Sequence, residues 1–120
     1  VKFVKRVFHT FPHEPIDVRV FFMDDEIFEG REKANIGARL ELTRNAVGLD
    51  QQTFAFHAGL KASTYNQYEN GINQPQISAA NALCDAHRIT LDWIYRGDMS
   101  GLSRTTHDAI FAVRKVRREI

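Results

Sequence analysis

From Ala34 onward, apolar residues recur at steps of three and four, the spacing that gathers side chains on one face of an α-helix. Ile36, Leu40 and Val47 mark a first helix, with Asn35 placed to cap it and Gly48 to end it. Asp50 caps a short second helix carrying Phe54, Ala55 and Ala58, which Gly59 stops. A third runs from about residue 61 to residue 70, with Tyr65 and Tyr68 on one side and Gly71 behind it. After a loop over 72–75, Ile77, Ala80, Leu83, Cys84 and Ala86 mark a fourth, and Thr90 caps a fifth over 91–95 that stops at Gly97. Glycine adopts the left-handed backbone that ends a helix without a steric penalty. So many agreeing caps and stops predict an all-α, five-helix domain over residues 34–97.

The flanks read differently. Residues 1–33 form an N-terminal extension that is aromatic and basic at first (Phe3, Lys5, Arg6, Phe8, Phe11) and is broken by Pro12 and Pro15. Ile16, Val18 and Val20 alternate with Asp17 and Arg19, a period-two pattern compatible with a short strand or hairpin. The run Asp24, Asp25, Glu26 suits the start of a helix, whose N-terminal end favours carboxylates. A poorly ordered leader is the competing reading, and Met23 is an alternative start. Residues 98–120 comprise a loop and then an amphipathic helix from about Thr106, with Ile110, Val113, Val116 and Ile120 in one stripe and Arg114, Lys115, Arg117 and Arg118 mainly off it. That stripe suits packing onto its own domain or a dimer interface. Its arginines suit a solvated face or phosphate contacts.

Composition excludes more than it assigns. With 120 residues and a formal net charge of +1, the chain has room for one compact domain and no overall pull toward polyanions. Cys84 is its sole cysteine, which rules out an intramolecular disulfide and a cysteine-based zinc site. The histidines (His9, His13, His57, His87, His107) are scattered, and no metal site or cofactor is expected. No glycine-rich phosphate loop or nucleophile–base pair stands out, so an enzyme is not expected. No apolar run is long enough to span a bilayer, and the expected location is the cytoplasm.

The informative stretch lies between Gln51 and Gly71. Two short helices joined at a glycine corner need a small residue where they cross, and Ala55 supplies one. Leu60, Tyr65 and Tyr68 fall on the inward side of the third helix, leaving Ala62, Ser63, Asn66 and Gln67 outward. That outward set is short and carries amides and a hydroxyl, groups suited to base edges in a major groove. A face kept only for solubility would be richer in Glu and Lys.

The pattern Gln51, Ala55, Gly59, Thr64, Glu69, Gly71, Pro75 and the closing Leu91-Asp92-Trp93-Ile94-Tyr95-Arg96-Gly97 resembles the Cro and phage-repressor (xenobiotic-response-element) helix-turn-helix family. The resemblance covers residues 36 to 97. It implies a phage-repressor-like DNA-binding domain in which Ala62, Ser63, Asn66 and Gln67 face bases. It further implies phosphate contacts from Arg44, Gln51, Lys61 and Asn70, with Glu69 orienting the Arg44 guanidinium. Thr43 and Tyr65 depart from the family by placing hydroxyls where aliphatic side chains are usual, which suggests variant packing. The charges of the domain also cancel: Arg39, Arg44, Lys61, Arg88 and Arg96 against Glu41, Asp50, Glu69, Asp85 and Asp92. The implied protein is a sequence-specific transcriptional regulator, a repressor binding double-stranded DNA as a homodimer. The rival reading is an antitoxin-like or other protein-interaction module using the same fold, with the Phe-rich N-terminus and the C-terminal stripe holding a protein partner.

Overall fold

The computed structural model describes residues 30–119, with side chains as far as Arg114. The expected strand or hairpin, the acidic helix start, Met23 and Ile120 of the C-terminal stripe lie outside the described residues, and Val116 lies in the last helix beyond the described side chains. The described residues form six helices and no strand: α1 (Lys33–Val47), α2 (Gln51–His57), α3 (Ala62–Glu69), α4 (Ile77–His87), α5 (Leu91–Arg96) and α6 (Arg104–Glu119). The all-α architecture is as the periodicity predicts.

Local signals account for most boundaries. Asp50 accepts from the Thr53 backbone N–H at 2.8 Å and Thr90 from that of Trp93 at 3.0 Å, so both cap as expected. The start of α1 differs. Its cap is Glu32, and Asn35 sits at the third helical position, closing a reciprocal capping box through its Oδ1 to the Glu32 N–H at 3.2 Å. The last helix also starts earlier than expected, at Arg104, with Ser103 accepting from the Thr106 N–H. Ile77, expected on the apolar face of α4, is instead exposed at its first turn.

The helices pack α1 against α3, α5 and α6, with α2 on α3 and α4. Ile36, Leu40, Phe54, Tyr65, Leu83, Trp93, Ile94 and Ile110 are fully enclosed. Ile110 brings α6 onto this core, so the described part of the C-terminal stripe packs on its own domain.

Two buried polar groups stiffen the centre. Arg39 is fully buried: its Nε and Nη2 donate to the Ile94 carbonyl at 3.1 and 2.9 Å, and Nη1 to the Gly30 carbonyl at 2.7 Å. Burial, with Arg31 nearby, lowers its pKa to about 10, which leaves it cationic at neutral pH. Arg39 thus counts in the charge balance of the domain without being a surface charge: it ties α1 to the end of α5. Thr43, one helical turn on, donates to the Arg39 carbonyl at 2.7 Å and accepts from Trp93 Nε1 at 2.8 Å. The unusual hydroxyl thus serves the indole N–H, which needs a partner once buried.

Gly37 sets how close α1 comes to α3. A Cβ there would lie 2.3 Å from the Tyr68 carbonyl oxygen and 2.6 Å from that of Glu69. Only hydrogen fits at this crossing, which holds the last turn of α3 against α1.

Candidate nucleic-acid interface

The corner between α2 and α3 is built by Gly59, whose φ of 73° is left-handed. Its N–H donates to the Phe56 carbonyl at 2.9 Å and that of Leu60 to the Ala55 carbonyl at 2.9 Å, the paired bonds of a Schellman ending. Space around a Cβ is open at Gly59, so its backbone conformation is what asks for glycine. Ala55 is fully buried beneath the corner. The chain leaves α2, turns, and starts α3 with its own inward face already defined by Tyr65 and Tyr68.

On the opposite face Ala62, Ser63 and Gln67 are exposed, with Lys61 at the front and Asn70 at the back, both also exposed. The Gln67 Oε1 accepts from Asn73 Nδ2 in the loop beyond Gly71, so the amide is held toward the C-terminal end of its helix. Asn66 is half-buried and turned toward α2.

Beside this face lies a connected set of polar bonds. Arg44 donates from Nε to Glu69 Oε2 at 2.6 Å and from Nη2 to Glu69 Oε1 at 3.2 Å, while its Nη1 donates to the Leu49 carbonyl at 3.0 Å. Gln51 Nε2 donates to Glu69 Oε1 at 2.8 Å, and Asn66 Nδ2 donates to Gln51 Oε1 at 2.9 Å. Asn70 Nδ2 donates to Asn66 Oδ1 at 2.9 Å. The carboxylate hydrogen bond holds the Arg44 pKa above its usual value, against the opposing effect of burial. The pair is more enclosed than an ordinary surface pair, with side-chain exposures of 15% for Arg44 and 4% for Glu69. Bidentate geometry at low exposure makes it a fixed element of the surface.

The structure therefore brings Arg44, Gln51, Asn66, Glu69 and Asn70 into one bonded group and leaves Ala62, Ser63 and Gln67 outward beside it. Lys61 stands at the N-terminal cap of α3. Sequence reasoning missed Gly37 and Asn73. Gly37 sits mid-helix without a turn signal, and Asn73 reads only as a loop residue. Of the other polar side chains, His87 is buried, stacked on Phe54 with centroids 3.6 Å apart, and its Nε2 is 2.9 Å from the Phe54 carbonyl. Burial raises the Cys84 thiol to about 11, so it is protonated at neutral pH and a poor nucleophile. Among the described residues no group of three His, Cys, Asp or Glu side chains is placed to hold a metal, and no helix is long and apolar enough to cross a membrane.

A short buried-face helix, a glycine corner and a second helix with one polar face exposed make a helix-turn-helix. Residues 35–92 match the family described as helix-turn-helix domain, and this part of the chain is such a domain, of the kind found in xenobiotic-response-element-like DNA-binding regulators. No curated protein and no solved structure matches the chain.

Proposed function

We propose that the chain is a sequence-specific transcriptional regulator that inserts α3 into the major groove of double-stranded DNA. The observation that carries this reading is the exposed face of Ala62, Ser63 and Gln67, held beyond a glycine corner and flanked by a braced polar cluster. Gln67 supplies an amide that can pair bidentately with adenine, Ser63 a hydroxyl, and Ala62 a methyl for thymine. Arg44, Gln51, Lys61 and Asn70 supply phosphate contacts around that face, with Glu69 orienting Arg44. Further proposals are a homodimer acting in the cytoplasm as a repressor by occluding polymerase, with half-sites about 34 Å apart as this docking geometry requires.

Selection of bound sites from random duplexes, at two salt concentrations, tests the reading. The wild-type chain should enrich one motif, and Gln67→Ala should relax preference at one base-pair position while leaving the others. Arg44→Ala should weaken selected and scrambled duplexes alike and flatten the salt dependence. Equal enrichment of all sequences by the wild-type chain would refute base readout.

A second reading, protein recognition by the same fold, is favoured by Phe56, which is 76% exposed on α2, and by Ile72 and Ile77, each 57% exposed. A protein captured by the chain from nuclease-treated lysate would support it, since such a partner does not need DNA as a bridge.

A further inference from the structure

The amide chain beside α3 has a direction, and that direction separates Asn66 from its neighbours on the same helix. Glu69 is a carboxylate and only accepts hydrogen bonds. Gln51 must therefore turn its NH2 to Glu69, which leaves its carbonyl facing α3. Only a donor is useful to that carbonyl, and Asn66 supplies one through Nδ2. Asn66 then presents its own carbonyl to Asn70, whose Nδ2 donates to it. Each amide orientation is dictated by the one before, back to the carboxylate that Arg44 clamps.

We propose that Asn66 is a positioning residue: it fixes the Gln51 amide across the α2–α3 corner and reads no base itself. This deepens the DNA-binding reading and rests on it for the consequence, though not for the geometry. Gln51 gives one of its two amide protons to Glu69, so the other remains for a phosphate oxygen. A free glutamine side chain would have to be ordered when DNA arrives. Here the ordering is complete beforehand, so the phosphate contact forms at lower entropic cost. The exposures agree with the division of labour. Ala62, Ser63 and Gln67 are open, whereas Asn66 is half-buried between Gln51 and Asn70.

The test compares Asn66→Ala, Gln51→Ala and the double variant, all in the full chain. Alanine is a favourable helix residue, and Asn66 lies in the middle of α3, so the fold should persist. Asn66→Ala should weaken binding to a selected duplex and to its scrambled counterpart by the same factor, about three- to tenfold if one long side chain loses its order. Its selected motif should match the wild type. In the Gln51→Ala background, Asn66→Ala should cost clearly less than it does alone, because the part of its effect that runs through Gln51 is already gone and only its hold on Asn70 is left. A changed preference at one base-pair position, or losses that simply multiply in the double variant, would overturn the proposal.

A second arm needs no DNA. In nuclear magnetic resonance spectra of the free chain, the Gln51 side-chain NH2 and the Arg44 Nε–H should give ordered, displaced signals. The isosteric Asn66→Asp, which removes the donor, should move the Gln51 signals toward those of a mobile glutamine while core backbone signals stay in place. Gln51 signals indifferent to Asn66→Asp would overturn the positioning role. Should the wild-type chain bind no duplex, the DNA-binding reading fails and this arm still decides whether Asn66 holds Gln51.

Discussion

Gly37→Ala reverses the sign that helix propensity alone would give. Within a helix, alanine is better than glycine by about 1 kcal/mol, so a mid-helix glycine invites stabilisation by this change. The geometry forbids it. The added Cβ would meet the Tyr68 oxygen at 2.3 Å, the Glu69 oxygen at 2.6 Å and the Glu69 carbonyl carbon at 2.9 Å. Normal contact between such atoms is about 3.5 Å, so α1 and the end of α3 must separate by about 1 Å. The obstacles are backbone atoms of a helical turn and cannot rotate aside. Overpacking of this kind costs about 1–3 kcal/mol, with backbone obstacles at the upper end. After the propensity gain, a net loss of about 2 kcal/mol remains, which lowers Tm by about 8–16 °C for a domain of this size. Thermal unfolding of the full chain by far-ultraviolet circular dichroism measures it. The same separation pulls Arg44 from Glu69, since Gly37 and Arg44 lie two turns apart on one face of α1. Binding to every duplex should therefore weaken together. A variant with Tm raised, or unchanged within 2 °C, would refute the reasoning about this crossing.

Thr43→Val keeps volume but removes the acceptor to which Trp93 Nε1 donates at 2.8 Å, at a cost of about 1–3 kcal/mol in urea unfolding; Thr43→Ser, which keeps the oxygen, should lose only about 1 kcal/mol. If valine costs no more than serine, the indole bond contributes nothing. His87 is held below its usual pKa by burial, in the neutral form that donates to the Phe54 carbonyl, with His57 at 6.0 Å disfavouring its charge further. The folded state therefore binds fewer protons than the unfolded one, and the contribution of His87 is complete above about pH 6.5 and is lost as pH falls below it. The urea midpoint should drop between pH 7.5 and 5.5, and His87→Gln should remove most of that slope; an unchanged slope would assign it to other groups.

The helices were legible because their signals are local. Asp50, Thr90, Gly48, Gly59, Gly71 and Gly97 act within a turn of their own position, and each sits at an end in the structure. Arg88 is the exception: it ends α4 in the left-handed conformation without being glycine, and no sequence pattern marks it. The arrangement of the site was legible only in outline. Spacing separates the inward tyrosines from the outward face, but a half-buried Asn66 and an exposed Gln67 are adjacent and chemically alike. What distinguishes them is Gln51 on another helix. Likewise Gly37 and Arg39 look like ordinary helix positions until Tyr68, Glu69 and Ile94 are brought against them from far along the chain. The type of each element is a property of neighbours in sequence; the role of each polar side chain is a property of neighbours in space.

The burial of Arg39 also changes what the balanced charge of the domain means. Of the five cations between residues 34 and 97, Arg39 is enclosed and Arg44 is committed to Glu69, so Lys61, Arg88 and Arg96 are the exposed ones. Against them stand the exposed carboxylates Asp50, Asp85 and Asp92. The pull of residues 34–97 on a phosphate backbone is then small, and sequence-independent attraction falls to cations outside them, such as the exposed Arg31, Lys33 and Arg104. Weak attraction to random DNA is an advantage in a reader of sequence. Specific sites compete against a vast excess of nonspecific ones, so selectivity depends on the ratio of the two affinities. Under the proposed function, a neutral domain would keep the denominator low and leave the numerator to directional contacts. In the proposed function those contacts would demand ordered donors, and the bonds from Arg44 through Glu69 and Gln51 to Asn66 are the arrangement that would supply them.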